Sequence, residues 1–338
     1  MVELRRLQAV GNYSLSVSLP REWVRRHGLR KGDLVVLEAE KDGSLRISPV
    51  KEESEALRVF TVNADRCVAP NMLKRILVGC YILGYESVKV LSSTRLRQEH
   101  VEEVNSVLRR LMGVGVMEES MNHLVLQSIM EPSKFPVENL LHRLHSLSLL
   151  MQRVSLQAYM SRDKSLAEDV IRLEKDSDML YWLILRQLEL ASHDPKVAKK
   201  VGVEDLPLNW ACRSVAKSLE SIADGAERLC NLVLQLAGSL SEEPPSDLKT
   251  MGETSLRMHE EAFKAFVKKD VELANEAIES LKQLREIELS LYSRVTGYRG
   301  EMAAYIVMAA HYVRETAVNS ARIGEAAINL ALATSEAI

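Results

Sequence analysis

The chain has 338 residues, 46 % of them apolar and 27 % charged, a composition that suits a folded protein and excludes an intrinsically disordered one. Forty-four Lys and Arg against 47 Asp and Glu leave a formal charge of −3, so no strong overall field draws the whole molecule to a polyanion. No run of about 18 apolar residues predicts a membrane span, the start Met-Val-Glu-Leu-Arg-Arg is unlike a signal peptide, and four scattered cysteines without a Cys-x-x-Cys pair fit reduced thiols of a cytoplasmic protein.

The charge is uneven. Residues 1–31 carry seven basic groups and two acids, so the remainder is acidic. Within residues 1–50, Leu15, Val17 and Leu19 alternate with serines, which predicts a half-buried strand that Pro20 ends. A short helix follows from Arg21 to His27, with Gly28 as its stop. Leu34 to Leu37 and Leu45 to Ser48 read as two more strands, joined across the Asp42-Gly43 hairpin signal. So small a β-rich piece buries little by itself, which predicts a dimer. Arg21, Arg25 and Arg26 fall within one and a half helical turns, with Arg5 and Arg6 upstream; guanidinium groups suit phosphates and guanine edges. Trp23 reads as a packing anchor rather than a base-stacking platform.

Residues 51–57 read as a charged linker, and residues 58–130 as a small α/β domain. Its strands are predicted at 58–62, 87–91, 114–117 and 123–129, and its helices at 71–83 and 97–112. It carries no Gly-x-Gly-x-x-Gly, no P-loop and no nucleophile elbow, so a spacer or sensing role is expected.

Residues 131–338 read as helix throughout, entered at Pro132 and Pro136 and broken at Glu242-Glu243-Pro244-Pro245. The two halves, 131–240 and 246–338, repeat. Asp163-Lys-Ser-Leu-Ala167 returns as Asp270-Val-Glu-Leu-Ala274, and Glu220-Ser-Ile-Ala-Asp224 as Glu315-Thr-Ala-Val-Asn319. Each half is predicted as three helices, with a long connection from Ala191 to Asn209 in the first half and a short one near Gly297 to Gly300 in the second.

Glu174-x-x-x-Asp178 and Glu220-x-x-x-Asp224 place two carboxylates on one face of each helix, roughly 5–6 Å apart at Cβ. If the second and third helices lie side by side, the four acids converge into an all-oxygen set that suits a hard cation such as Mg, Mn, Ca or Fe. In the second half the aligned positions are Leu281, Arg285, Glu315 and Asn319, which predicts no such site. His142 and His145 are predicted to face solvent rather than ligate, and Met302, Tyr305, Ile306 and Ala309 to pack in the core. No nucleophile–base constellation predicts an enzyme, and the Glu-x-x-His motif of di-iron bundles is absent from 131–338.

Two stretches resemble known families. Leu19-Pro20-Arg21-x-Trp23, Gly28-Leu29-x-x-Gly32-Asp33 and Asp42-Gly43-x-Leu45-x-Ile47 resemble a SpoVT-AbrB domain. That resemblance implies a swapped-hairpin homodimeric barrel that binds DNA through basic residues, here Arg5, Arg6, Arg21, Arg25 and Arg26. The doubled three-helix unit, with Leu166-Ala167, Glu174-x-x-x-Asp178 and Glu220-Ser-Ile-Ala-Asp224-Gly-Ala, resembles the PhoU family of phosphate-uptake regulators. It implies a six-helix bundle with iron or zinc clusters. With no His or Cys among Glu174, Asp178, Glu220 and Asp224, iron ranks first. Together the three regions are similar to archaeal-type phosphate uptake regulators. The function so implied is DNA-binding regulation of phosphate uptake. The alternative is an adaptor whose bundle docks on a phosphate transporter ATPase or a sensor kinase.

Overall fold

Pro20 ends one element and starts the next, because it lacks the N–H that a strand ladder needs and its fixed φ suits the approach to a helix. In the computed structural model, which describes residues 3–11, 13–39, 43–50, 58–236, 243–298 and 300–334, helix α1 spans Arg21–Arg26 directly after it. Gly28, at φ +66°, closes α1: its N–H donates to Arg25 O at 3.2 Å, and Leu29 N–H donates to Val24 O at 3.0 Å. That pair of bonds needs a left-handed residue. In chain order α1 falls between two antiparallel hairpins, β1 (Gln8–Val10) with β2 (Ser14–Ser16) and β3 (Val35–Ala39) with β4 (Leu45–Pro49). The linker 51–57, Lys41-Asp42 of the predicted turn and Glu242 of the predicted break lie outside the described residues.

The chain divides into two units, Met1–Ala56 and Leu57–Ile338. In the first, no described residue is buried. Leu15 is 67 % exposed and Leu37 59 % exposed, so the apolar face that the alternation predicts is formed but left uncovered by a single copy. Trp23 is half-buried against the His27 ring, at 5.0 Å between centroids.

The second unit begins with an α/β layer: β5 (Val59–Asn63), α2 (Met72–Ile82), β6 (Ser87–Leu91), α3 (Gln98–Leu108), β7 (Val114–Glu119) and β8 (His123–Ser128). The sheet order is β5-β6-β8-β7, with β5 parallel to β6 and the other pairs antiparallel. Val88 and Val90 of β6 are buried while Lys89 and Leu91 are exposed, so one sheet face is covered. Leu73 and Leu77 of α2, with Val104 and Val107 of α3, share its core, and Trp182 of the helical region packs against it.

The helical region holds α4 (Val137–Ser161), α5 (Lys164–His193), α6 (Pro195–Val201), α7 (Leu206–Leu236), α8 (Ser246–Lys268), α9 (Val271–Val295) and α10 (Glu301–Thr334). Six are long, three in each half, as the repeat predicts. The first turn of each half is built alike. Arg162 (φ 58°) and Lys269 (φ 55°) are left-handed, and Asp163 N–H and Asp270 N–H donate to Ala158 O and Ala265 O, both at 3.0 Å. Each Asp side chain then caps the next helix: Asp163 accepts from Ser165 N–H at 2.9 Å and Asp270 from Leu273 N–H at 3.0 Å. The long connection expected in the first half is largely helical instead. Asp194 caps α6 by accepting from Lys196 N–H at 2.8 Å, and Pro195 takes the first helical position, where its missing N–H costs nothing.

Both halves feed one core: Leu140, Leu183 and Leu219 of the first meet Phe263, Ile323 and Leu330 of the second. Gly252 of α8 lies where an added Cβ would fall within the buried Leu156 side chain of α4. Gly252→Val is therefore expected to lower stability by about 1–3 kcal/mol through overpacking. The check is the urea midpoint at unchanged slope; an unmoved midpoint would show that the two helices have room to spare.

Candidate functional site

Helix α5 presents one side chain per turn to its neighbours at positions 174, 178, 182 and 186, a spacing of four that keeps them on one stripe. Asp178 on this stripe meets Glu220 and Asp224 of α7, which packs beside α5. One carboxylate oxygen from each of the three lies within 4.8 Å of the others. Three of the four predicted acids thus converge. Glu174, one turn away, is joined to Asp178 through a shared guanidinium: Arg110 Nη1 is 2.7 Å from Asp178 Oδ2 and 3.4 Å from Glu174 Oε1.

The cluster is crowded. Two bare carboxylates at that separation repel by about 3–4 kcal/mol at an effective dielectric of 20, enough to demand protons or cations. Burial is the first cause that raises Asp178 above the usual carboxylate range; Glu174 adds to it and Arg110 opposes it. Burial and then Glu220 push Asp224 up to about 6, against Arg228 and Lys217. Glu227, the next acid along the same face of α7, is raised by burial and by Glu174. Lys217 Nζ bonds Glu220 at 2.6 Å, and Arg228 bonds Asp224 at 3.3 Å. Helical spacing from Glu220 and Asp224 could have located Glu227. No local rule could have found Arg110, which comes from the loop after α3.

Does this donor set suit a metal? The three acids offer oxygen only, from side chains 11–29 % exposed, with two helices fixing their spacing. That fits a hard divalent cation and lacks the nitrogen or sulfur donors that structural zinc favours. Among the described residues this is the grouping that brings three such ligand atoms together. In the second half, Glu315 pairs with Arg314 at 3.1 Å, and Asn319 accepts from Arg322 at 3.0 Å. The buried acid there is Glu288, held by Tyr292 Oη at 2.8 Å and Arg314 Nε at 3.3 Å.

The histidine expectation holds for His142, which is exposed, and needs correcting for His145. The His145 ring stacks on Phe263 at 3.9 Å between centroids, and its Nδ1 lies 3.2 Å from Nε2 of the fully buried His259. The i,i+3 spacing pointed to the wrong partner; the real one is on α8, in the other half.

In the first unit, Arg5, Arg6, Arg21, Arg25 and Arg26 are all exposed. Arg5 pairs with Glu3. Arg21 and Arg25 are i,i+4 on α1, so they share a face with Arg26 alongside. None of these three guanidinium groups has an ion-pair or hydrogen-bond partner among the described residues.

A family model for the PhoU domain matches residues 141–233 and 248–334, one copy in each half and together more than half of the chain. The chain belongs to the PhoU family. A model for the MazE antitoxin, antidote-toxin recognition, matches residues 8–55, in keeping with the AbrB-like reading. Among solved structures the chain is similar to PhoU from Pseudomonas aeruginosa, with 19 % identity and a TM-score of 0.52 over 59 % of this chain and 96 % of that one. It is also similar to the phosphate transport system regulatory protein PhoU from Streptococcus pneumoniae, at 20 % identity and a TM-score of 0.50 over 60 % and 95 %. At such identities the likeness concerns the bundle's fold. No curated protein matches the sequence significantly. No described helix is long and apolar enough to cross a membrane, and PhoU proteins act as regulators rather than enzymes.

Proposed function

We propose that this PhoU-family chain is a DNA-binding regulator of phosphate uptake. In this reading two copies pair the uncovered hairpins of Met1–Ala56 into one barrel and present Arg21, Arg25 and Arg26, with Arg5 and Arg6, to promoter DNA. The bundle holds a hard divalent cation, iron ahead of others, through Asp178, Glu220 and Asp224 with Glu174 beside them. It conveys phosphate status by binding rather than by turnover. The observation that carries the reading is a helix of three arginines whose side chains have no partner among the described residues, in a unit whose apolar strands lack a cover, on the same chain as a doubled PhoU bundle.

The test is a gel shift at moderate salt with DNA from upstream of phosphate-transport genes. Arg21→Ala combined with Arg25→Ala is expected to weaken retention by about tenfold, since each lost guanidinium gives up phosphate or guanine contacts. Equal retention by both proteins, or none by either, refutes the DNA reading. A second reading, the adaptor on a transporter ATPase or sensor kinase, draws on Trp210 (69 % exposed) and Leu206 (61 % exposed), which line a groove of about 710 Å³ between α7 and α10. An exposed tryptophan beside an exposed leucine in a groove is the kind of anchor that protein contacts use.

A further inference from the structure

Each acid of the cluster already has a cationic partner, and the partners differ in origin. Lys217 and Arg228 come from α7 itself, at i,i+3 and i,i+4 from Glu220 and Asp224, and are 56 % and 55 % exposed. Such side chains can swing into water at little cost. Arg110 comes from another layer. It follows the end of α3, is 23 % exposed, and bonds both Asp178 and Glu174. Two residues on, Met112 O accepts from Tyr81 Oη of α2 at 3.1 Å, so the segment after α3 is tied to the layer at one side and to α5 at the other. The rest of the α5 stripe holds the same layer independently, through Trp182 packed against its core and Arg186 on the carbonyls of Tyr81 and Tyr85.

A divalent cation on Asp178, Glu220 and Asp224 would compete with the Arg110 guanidinium for the Asp178 carboxylate, and like charges cannot share it without strong repulsion. Lys217 also lies over the Tyr181 ring of α5 at 5.5 Å, so its departure, like that of Arg228, stays within the bundle. Only the departure of Arg110 changes a contact between the bundle and the α/β layer. We propose that Arg110 is the resident counter-ion of the cluster, and that a divalent cation displaces it, so that the occupancy of the bundle site is passed to the segment after α3. This rests on the cation reading above and adds to it a route by which occupancy reaches a second layer. Trp182 and Arg186 keep their hold, so the release is confined to residues 108–113.

The experiment titrates the full chain, stripped with chelator, with Mn²⁺ and follows the free-ion paramagnetic resonance signal. Amide exchange over 108–113 is read in parallel. Arg110→Gln is expected to bind Mn²⁺ about tenfold more tightly than the wild type, because a competitor and a positive charge are gone. Arg110→Lys, which restores the charge, is expected to stay within about threefold of the wild type. Exchange over 108–113 should quicken when Mn²⁺ saturates the wild type, and should already be fast in Arg110→Gln without metal. Equal or weaker Mn²⁺ binding by Arg110→Gln overturns the role given to Arg110 and leaves the cation site standing, as does unchanged exchange in the saturated wild type. Absence of Mn²⁺ binding by both proteins overturns the cation reading and this inference with it.

Discussion

Lowering the pH from 7 to 4 is expected to remove on the order of 3 kcal/mol of stability through the histidine pair between the two halves. Gln152 Oε1 faces His259 Nδ1 at 2.9 Å, so that nitrogen carries the proton. His259 Nε2 then accepts from His145 Nδ1–H, while Gln152 Nε2 donates to Ser255 Oγ and Ser255 donates to Val313 O at 3.4 Å. The chain joins α4, α8 and α10 and requires a neutral His259, whose Nε2 can accept only without a proton, while burial opposes charge on either ring. Burial, with His142 as the lesser cause, lowers the His145 pKa to about 4, and burial, with His145 beside it, lowers His259 well below the ordinary value. No carboxylate bonds either ring among the described residues.

Because both folded-state values lie below the unfolded value of about 6.5, the contribution is complete above pH 6.5 and is lost as pH falls through about 4. The acid cluster works in the opposite direction. Raised carboxylates stabilise at low pH and lose that contribution as pH rises, for Asp224 through about 6. Urea unfolding at pH 7, 5 and 4 should therefore be compared between the wild type and His145→Leu. The variant should be less stable at pH 7 and should lose less on acidification. Parallel pH profiles for the two proteins would refute the argument.

Arg186→Met is expected to cost about 2–3 kcal/mol and to loosen the α/β layer specifically. Arg186 is 5 % exposed on α5, its Nη1 donates to Tyr81 O at 2.6 Å and Tyr85 O at 3.1 Å, and its guanidinium lies over the Tyr81 ring at 4.9 Å. Burial lowers its pKa, so the group is held at some desolvation cost. Replacing a buried charge by a hydrophobe can be neutral when both partners of an ion pair are removed. Here the partners are backbone carbonyls that stay behind. Tyr81 O keeps a bond from Gly84 N–H at 3.1 Å, which limits the loss. Amide exchange should rise over 72–91 and stay level over 246–334. A uniform rise, or a loss below about 1 kcal/mol, would count against Arg186 as the link.

Much of the architecture is legible in local signals. The strands of the α/β layer fall within a few residues of their apolar runs, and Gly84, at positive φ, closes α2 as its position suggests, whereas α3 already ends at Leu108, four residues short of the stop expected at Gly113. The repeat is legible because the same Asp cap opens the second helix of each half. Helix α6 was also available, since Asp194-Pro195 is a cap followed by a first-turn proline, yet proline between two helices reads first as a loop. The site was legible only in part. Spacing along one helix shows which acids share a face, and so it reaches Glu220, Asp224 and Glu227. It says nothing of Arg110, 68 residues before Asp178, or of His259, 114 residues beyond His145. The uncovered apolar side chains of Met1–Ala56 are a different case: the alternation was correct, but a single copy holds nothing to cover it.

The stripe on α5 has a consequence for what the chain can tolerate. Each helical residue advances the azimuth by about 100°, so one residue inserted between Asp178 and Trp182 would swing one end of the stripe a quarter-turn out of phase with the other. Either the acids would turn from α7 or Trp182 and Arg186 would leave the sheet layer, whatever the inserted residue's chemistry. Substitutions along α5 can be judged one by one, but its length between residues 174 and 186 is a single indivisible quantity, and indels belong at the turns around Arg162 and Asp194 where the helix begins and ends.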